Sequence, residues 1–167
     1  KRDFSRHCKI ADYFGYKISI HSGSDKFSVF PIIGGRAKER MHLKTAGTSW
    51  LEAVRVIAMV DPDLYRIMHK NALKYFDDAR KYYVVHADIS QVRPLEDTPD
   101  KLLPEYLNQN DARQLLHITY GYQLADPDIR KRFFDAMDRY YAEYVRTLTA
   151  HIGKHVALLN IAERNKS

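Results

Sequence analysis

The sequence predicts an α/β fold, with a parallel two-stranded part at the N-terminal end followed by a mainly helical remainder. Two observations carry that expectation. Residues 16–21 and 40–44 alternate between apolar and polar side chains, the period of a half-buried strand. Each run lies between segments of helical spacing, and the order helix, strand, helix, strand, helix belongs to a parallel sheet, whose neighbouring strands need a crossover between them.

The first helix is expected over Asp3 to Phe14, where Phe4, Cys8, Ala11 and Phe14 recur at helical spacing and Gly15 supplies a stop. Ile18 and Ile20 then share one face of a strand, with Lys17, Ser19 and His21 on the other. After the turn residues Ser22-Gly23-Ser24, a helix over Asp25 to Ile33 is expected to break at Gly34-Gly35, with Pro31 disturbing it. Met41 and Leu43 oppose Arg40, His42 and Lys44 in the second strand, which Thr45-Ala46-Gly47 closes in a turn. Ser49 and Glu52 have capping-box spacing for a helix that places Trp50, Leu51, Val54, Ile57 and Ala58 on one face.

After Val60 the alternation largely stops. Asp61-Pro62 sets a cap residue before proline at the first helical position, and Leu64, Ile67, Met68, Ala72, Phe76 and Ala79 continue a helical stripe toward Lys81. Val84-Val85-His86 suits a short extended piece, and the proline-bearing stretch from Ser90 to Pro104 reads as a loop. Asn110 or Asp111 caps a helix to Tyr120 that ends at Gly121. Asp126-Pro127 repeats the cap signal before the longest helix, which carries Ile129, Phe133, Met137, Tyr140, Tyr144, Leu148 and Ile152 and stops at Gly153.

The chain has 167 residues, a length that suits one domain, and its single cysteine excludes an intrachain disulfide. Neither a signal sequence nor an apolar run of membrane-spanning length is visible, so a cytoplasmic setting without membrane contact is expected. Lys1 stands where a methionine would, which suggests a processed chain or a piece of a larger one. The net charge of +6 permits an anionic partner. Yet the basic residues are interleaved with acids, as in Asp77-Asp78-Ala79-Arg80-Lys81, and form no arm of the kind a nucleic-acid groove wants.

Chemistry concentrates at the two strand ends. In parallel α/β architectures the loops beyond the carboxyl ends of the strands converge on one cavity. His21, followed by the Ser22–Lys26 turn, has the placement of a metal ligand, although one histidine is fewer than the three or four a site needs. His42 and Lys44 share a strand face that continues the Ser19 and His21 face if the strands are parallel neighbours, and a lysine there suits a carboxylate. The other histidines are weaker candidates. His151 and His155 are four apart like paired zinc ligands, but Ile152 stands where the zinc-protease pattern has glutamate. His86 and His117 read as structural, the tyrosines as packing, and Cys8 as an unreactive thiol.

The strings Tyr16-Lys17-Ile18-Ser19-Ile20-His21-Ser22-Gly23-Ser24-Asp25-Lys26-Phe27-Ser28 and His42-Leu43-Lys44-Thr45-Ala46-Gly47-Thr48-Ser49-Trp50-Leu51-Glu52-Ala53 resemble the tagaturonate epimerase family. His117-Ile118-Thr119-Tyr120-Gly121 and the closing His151 to Leu159 extend the resemblance over nearly the whole chain. Family members are much longer, so the resemblance implies the C-terminal portion of a class II aldolase-like (β/α)8 barrel, a fold of about 250 residues. Residues 1–60 would supply the last barrel strands and their helices, and residues 61–167 a helical C-terminal region.

What the resemblance implies chemically is a divalent-metal-dependent epimerase that interconverts tagaturonate and fructuronate in hexuronate breakdown. His21 would ligate the cation, while Ser22, Asp25, Lys26, His42 and Lys44 would face the small sugar-acid substrate. The general acid and base fall upstream, so no catalytic residue is assigned, and the isolated chain is expected to be inactive. Inverting a carbinol carbon two bonds from a ketone suits an aldol-type route, in which a cation on the ketone oxygen stabilises an enediolate. Strand edges left by a partial barrel would favour homo-oligomers. The alternative is a basic helical module that binds nucleic acid or another polyanion in a salt-dependent way.

Overall fold

The computed structural model describes residues 2–21, 27–37 and 40–160. It is mainly helical, with one parallel pair of strands, and its chain divides into two compact units. The first unit comprises Lys1–Ala46 with Thr149–Ser167, and the second comprises Gly47–Leu148.

The first unit contains α1 (Arg2–Phe14), β1 (Ile18–His21), α2 (Phe30–Ala37) and β2 (Met41–Lys44). β1 and β2 pair in parallel, with Ile18 opposite Met41, Ser19 opposite His42, Ile20 opposite Leu43 and His21 opposite Lys44. The apolar members of both strands are half-buried against a small core of Phe30, Ile33, Ala37 and Leu159, which Phe4, Cys8 and Phe27 also pack against. Period-two alternation thus sorts the strand side chains as expected, leaving one polar face outward.

The second unit is built from α3 (Ala46–Val60), α4 (Pro62–Arg80), α5 (Asn110–Ile118), α6 (Tyr120–Ala125) and α7 (Pro127–Arg139), and α8 (Tyr141–Leu158) leads back into the first unit. Its core gathers Leu51, Val54 and Ile57 of α3 with Leu64, Met68 and Phe76 of α4 and with Leu115, Leu116, Ile129 and Phe133. Two caps form as the sequence requires: the Asp61 carboxylate accepts from the Leu64 amide at 3.1 Å, and the Asp126 carboxylate from the Asp128 and Ile129 amides at 3.0 Å.

Several elements depart from the sequence pattern, most of them where a tertiary contact or a local side-chain bond competes. α2 begins at Phe30 and runs through Gly34-Gly35 instead of stopping there. A Cβ at Gly34 would lie 2.2 Å from the Leu159 carbonyl oxygen, so this glycine permits a close backbone approach and does not break the helix. Pro31 is the second helical residue, where a missing N–H costs no intrahelical bond. α3 starts at Ala46, which places Ser49 inside the helix, and Glu52 is buried in an ion-pair cluster; no capping box forms.

The stretch expected as a loop holds two 3-10 helices, Ile89–Gln91 and Asp100–Asn108, the second burying Leu103, Tyr106 and Leu107. Val84 takes no strand partner and is 94% exposed. The helix from Asn110 ends at Ile118, because the buried Thr119 hydroxyl donates back to the Leu115 carbonyl at 2.7 Å, and Gly121 falls inside α6. What looks like one long helix is α7 and α8, parted at Tyr140, and Gly153 lies within α8. Ile67 is an exposed member of the α4 stripe.

Candidate functional site

The parallel register gathers the polar strand residues on one face. Ser19, His21, His42 and Lys44 are all exposed there, His21 directly across from Lys44 and Ser19 across from His42. The Ser19 hydroxyl and His42 Nδ1 share a hydrogen bond of 3.3 Å, which orients the His42 ring on its strand. A cavity of about 520 Å³ opens beside β1, floored by Phe4, Ile20, Val29, Ile32 and Ile33, with Ser19 and His21 as its polar members. An ammonium, two imidazoles and a hydroxyl on one strand face can hold a carboxylate and hydroxyls by charge-assisted and neutral hydrogen bonds.

Ser22, Asp25 and Lys26, which the sequence places in the same site, lie outside the described residues. Among the described residues no group of three or more His, Cys, Asp or Glu is arranged to hold a metal ion. His21 and His42 could therefore contribute at most part of a ligand set.

Of the remaining histidines, His69 and His155 are buried, while His7 and His86 are exposed. His155 is buried, meets His151 and Phe27 at ring separations of 5.0 and 4.9 Å, and bonds the His151 carbonyl through Nδ1 at 2.9 Å. His69, which the sequence pattern left unmarked, is buried beside Tyr65 and Tyr106, and burial lowers its pKa to about 4 against the opposing pull of Glu96.

In the second unit the helix that follows β2 begins at a built corner. The His117 ring packs closely against Gly47: a Cβ there would sit 2.4 Å from Cε1 and 2.7 Å from Nε2. Three residues on, Trp50 donates its indole N–H to the Leu116 carbonyl at 3.0 Å and stacks on Phe133 with centroids 5.0 Å apart. Gly47 reads from sequence only as a strand stop. The signal for its second role was a glycine one residue inside a helix start, where nothing in the backbone demands one.

A model of the tagaturonate epimerase family matches residues 1–159. The chain belongs to the tagaturonate epimerase family. Within that family, the tagaturonate/fructuronate epimerase of Thermotoga maritima is 43% identical over 160 residues, covering 95% of this chain and 33% of its own length. Crystal structures of the fructuronate-tagaturonate epimerase of Cohnella laeviribosi are similar, the native form with a TM-score of 0.90 at 52% identity and a glycerol complex with 0.89 at 51%. Each match covers 95% of this chain and 34% of that protein, so the chain spans about a third of the length of these epimerases. The polyanion-binding alternative finds no support among them. No helix among the described residues is long and apolar enough to cross a membrane.

Proposed function

We propose that this chain is part of an epimerase that interconverts tagaturonate and fructuronate in the cytoplasm, and that the polar face of β1 and β2 is its share of the substrate site. The observation that carries the reading is the 43% identity to the Thermotoga maritima tagaturonate/fructuronate epimerase over nearly the whole chain. The strand face supplies matching chemistry. Lys44 offers a point charge to the substrate carboxylate, and His42, held by Ser19, offers a ring nitrogen to a hydroxyl. Ser22, Asp25 and Lys26 come next in sequence after β1, and their hydroxyl, carboxylate and ammonium groups suit the remaining polar groups of the sugar acid. The remaining strands of a class II aldolase-like (β/α)8 barrel come from outside these residues.

His21 fits a divalent cation as one member of a ligand set, because its imidazole stands exposed at a strand end with a second imidazole on the same face. When bound, such a cation polarises a substrate carbonyl as a Lewis acid. Inversion of a carbinol carbon two bonds from the ketone is balanced as a retro-aldol and aldol pair. The carbinol hydroxyl gives up its proton, and the bond between the carbinol carbon and the carbon next to the ketone breaks with its electron pair kept as an enediolate. The aldehyde fragment turns, and the bond re-forms as the new alkoxide takes the proton back. During that turn Lys44 and His42 keep the sugar acid oriented. The test is conversion of tagaturonate into fructuronate by the natural gene product that contains this chain, followed by NMR with and without divalent cations. Conversion that stops on chelation is expected. A gene product that leaves tagaturonate unchanged in every metal refutes the reading.

A further inference from the structure

We propose that Ser19 is a positioning residue for this reaction, acting through His42 and deciding which edge of that imidazole meets the substrate; the inference rests on the epimerase reading above. Both residues belong to the first unit, in the parallel pair of β1 and β2. Ser19 stands directly across from His42, on neighbouring strands that run about 4.8 Å apart. Both side chains are on the exposed polar face, because Ile18 and Ile20 of β1 and Met41 and Leu43 of β2 take the half-buried positions. A slip of one strand by one residue would turn Ile20, or Met41 and Leu43, away from the small core they pack against. The apolar residues thus fix the register, and the register brings the serine to the histidine.

The Ser19 hydroxyl then lies 3.3 Å from His42 Nδ1. Nδ1 is the ring nitrogen nearer the backbone, within reach of a short side chain on the next strand, and its engagement leaves Nε2 at the far end of the ring. A half-turn about the Cβ–Cγ bond would exchange Nδ1 with Cδ2 and Nε2 with Cε1. It would give up the contact with Ser19 and present carbon where nitrogen stood. The hydroxyl therefore selects the orientation that offers Nε2. It also ties the two ring nitrogens together in the neutral ring. A hydroxyl that donates to Nδ1 leaves the proton on Nε2, and one that accepts from an Nδ1–H leaves Nε2 as the acceptor. A substrate hydroxyl can answer either arrangement, because it both donates and accepts. Lys44 is two residues further along the same strand face, about 6.6 Å on, so the face is spaced to take a carboxylate and a hydroxyl of one sugar acid at separate points.

The test measures kcat and KM for tagaturonate in the natural gene product carrying Ser19→Ala, Ser19→Thr, His42→Ala, or Ser19→Ala together with His42→Ala. Ser19→Ala is expected to raise KM about three- to tenfold, the weight of one neutral hydrogen bond, with kcat changed less. Ser19→Thr keeps the hydroxyl on a residue that suits a strand, and its KM should stay within about twofold of the parental value. In the His42→Ala background, Ser19→Ala should add less than about twofold, because a residue that acts through the ring has nothing left to act on. A merely structural serine would lower the melting temperature in both backgrounds and leave the KM of the folded protein unchanged. Parental KM in Ser19→Ala overturns the proposal, and so does a Ser19→Thr variant that behaves like Ser19→Ala. An equal rise in KM with and without His42 also overturns it, by placing Ser19 itself against the substrate. A parental protein that leaves tagaturonate unchanged would instead remove the epimerase reading, so the two failures show in different proteins.

Discussion

Glu52 and Arg113 lie 61 residues apart in sequence and meet in the interior of the second unit, where the Arg113 guanidinium donates from Nη1 to the Glu52 carboxylate at 3.4 Å. Arg55 donates to the other carboxylate oxygen from Nε at 2.8 Å, and both arginines also donate to the Leu107 carbonyl. The carboxylate is 1% exposed and Arg113 4%, so neither charge has bulk water as a substitute partner. Glu52→Ala leaves two guanidinium groups without their anion, and the expected loss is about 3–5 kcal/mol. Urea unfolding of the natural gene product measures it. Pairing Glu52→Ala with Arg113→Met should recover part of that loss, and hydrogen exchange should show Asp100–Asn108 loosening first, because both arginines donate to its Leu107 carbonyl and Arg55 also to its Pro104 carbonyl.

Acid should weaken the fold through His69. Its ring is enclosed by Tyr65, whose hydroxyl shares a 3.3 Å hydrogen bond with Nδ1, and by Tyr106, with Glu96 the charged group that acts on it. The folded pKa of about 4 lies below the ordinary histidine value of 6.5, so the unfolded chain binds the proton first as pH falls. Stability from this group is complete above pH 6.5 and declines as pH falls toward 4, by about 3 kcal/mol in all. Urea midpoints at pH 7, 5.5 and 4.5, compared between the parent and His69→Gln, isolate the contribution of this ring, and the variant should show the shallower decline.

Gly34→Ala should be costly although the residue is helical. The new methyl carbon would meet the Leu159 carbonyl oxygen at 2.2 Å, and that partner is backbone with no rotamer to move. An exposed helical glycine would gain stability from the same change. Here about 1–3 kcal/mol is lost, with the C-terminal end of α8 released, readable as faster hydrogen exchange around residues 155–160.

Trp50→Phe removes one hydrogen bond and keeps a ring against Phe133. The Leu116 carbonyl loses its indole donor, so about 1 kcal/mol is expected from a melting curve. Trp50 is the chain's one tryptophan, and in this chain its fluorescence reports the α3–α5 corner directly.

Much of this was legible in sequence wherever local chemistry decides. Alternation at Ile18–His21 and Met41–Lys44 placed the strands and sorted Ser19, His21, His42 and Lys44 onto one face, because pleating leaves no other choice. Asp61-Pro62 and Asp126-Pro127 marked helix starts because a carboxylate and a fixed φ act within one turn. The misreadings fall largely at residues whose partners are distant. Gly34 and Gly47 looked like punctuation, yet each is small because Leu159 or His117 approaches it. Glu52 looked like half of a capping box, and only the fold brings Arg113 to it. No spacing rule shows such pairs.

The strand face is tested most directly by kcat and KM for tagaturonate in the natural gene product carrying His21→Ala or Lys44→Ala. Lys44→Ala should raise KM by about tenfold or more with kcat changed less, and His21→Ala should abolish turnover while weakening divalent-cation binding measured by calorimetry. Parental kinetics and parental cation affinity in both variants would contradict the assignment of this face to the sugar-acid site.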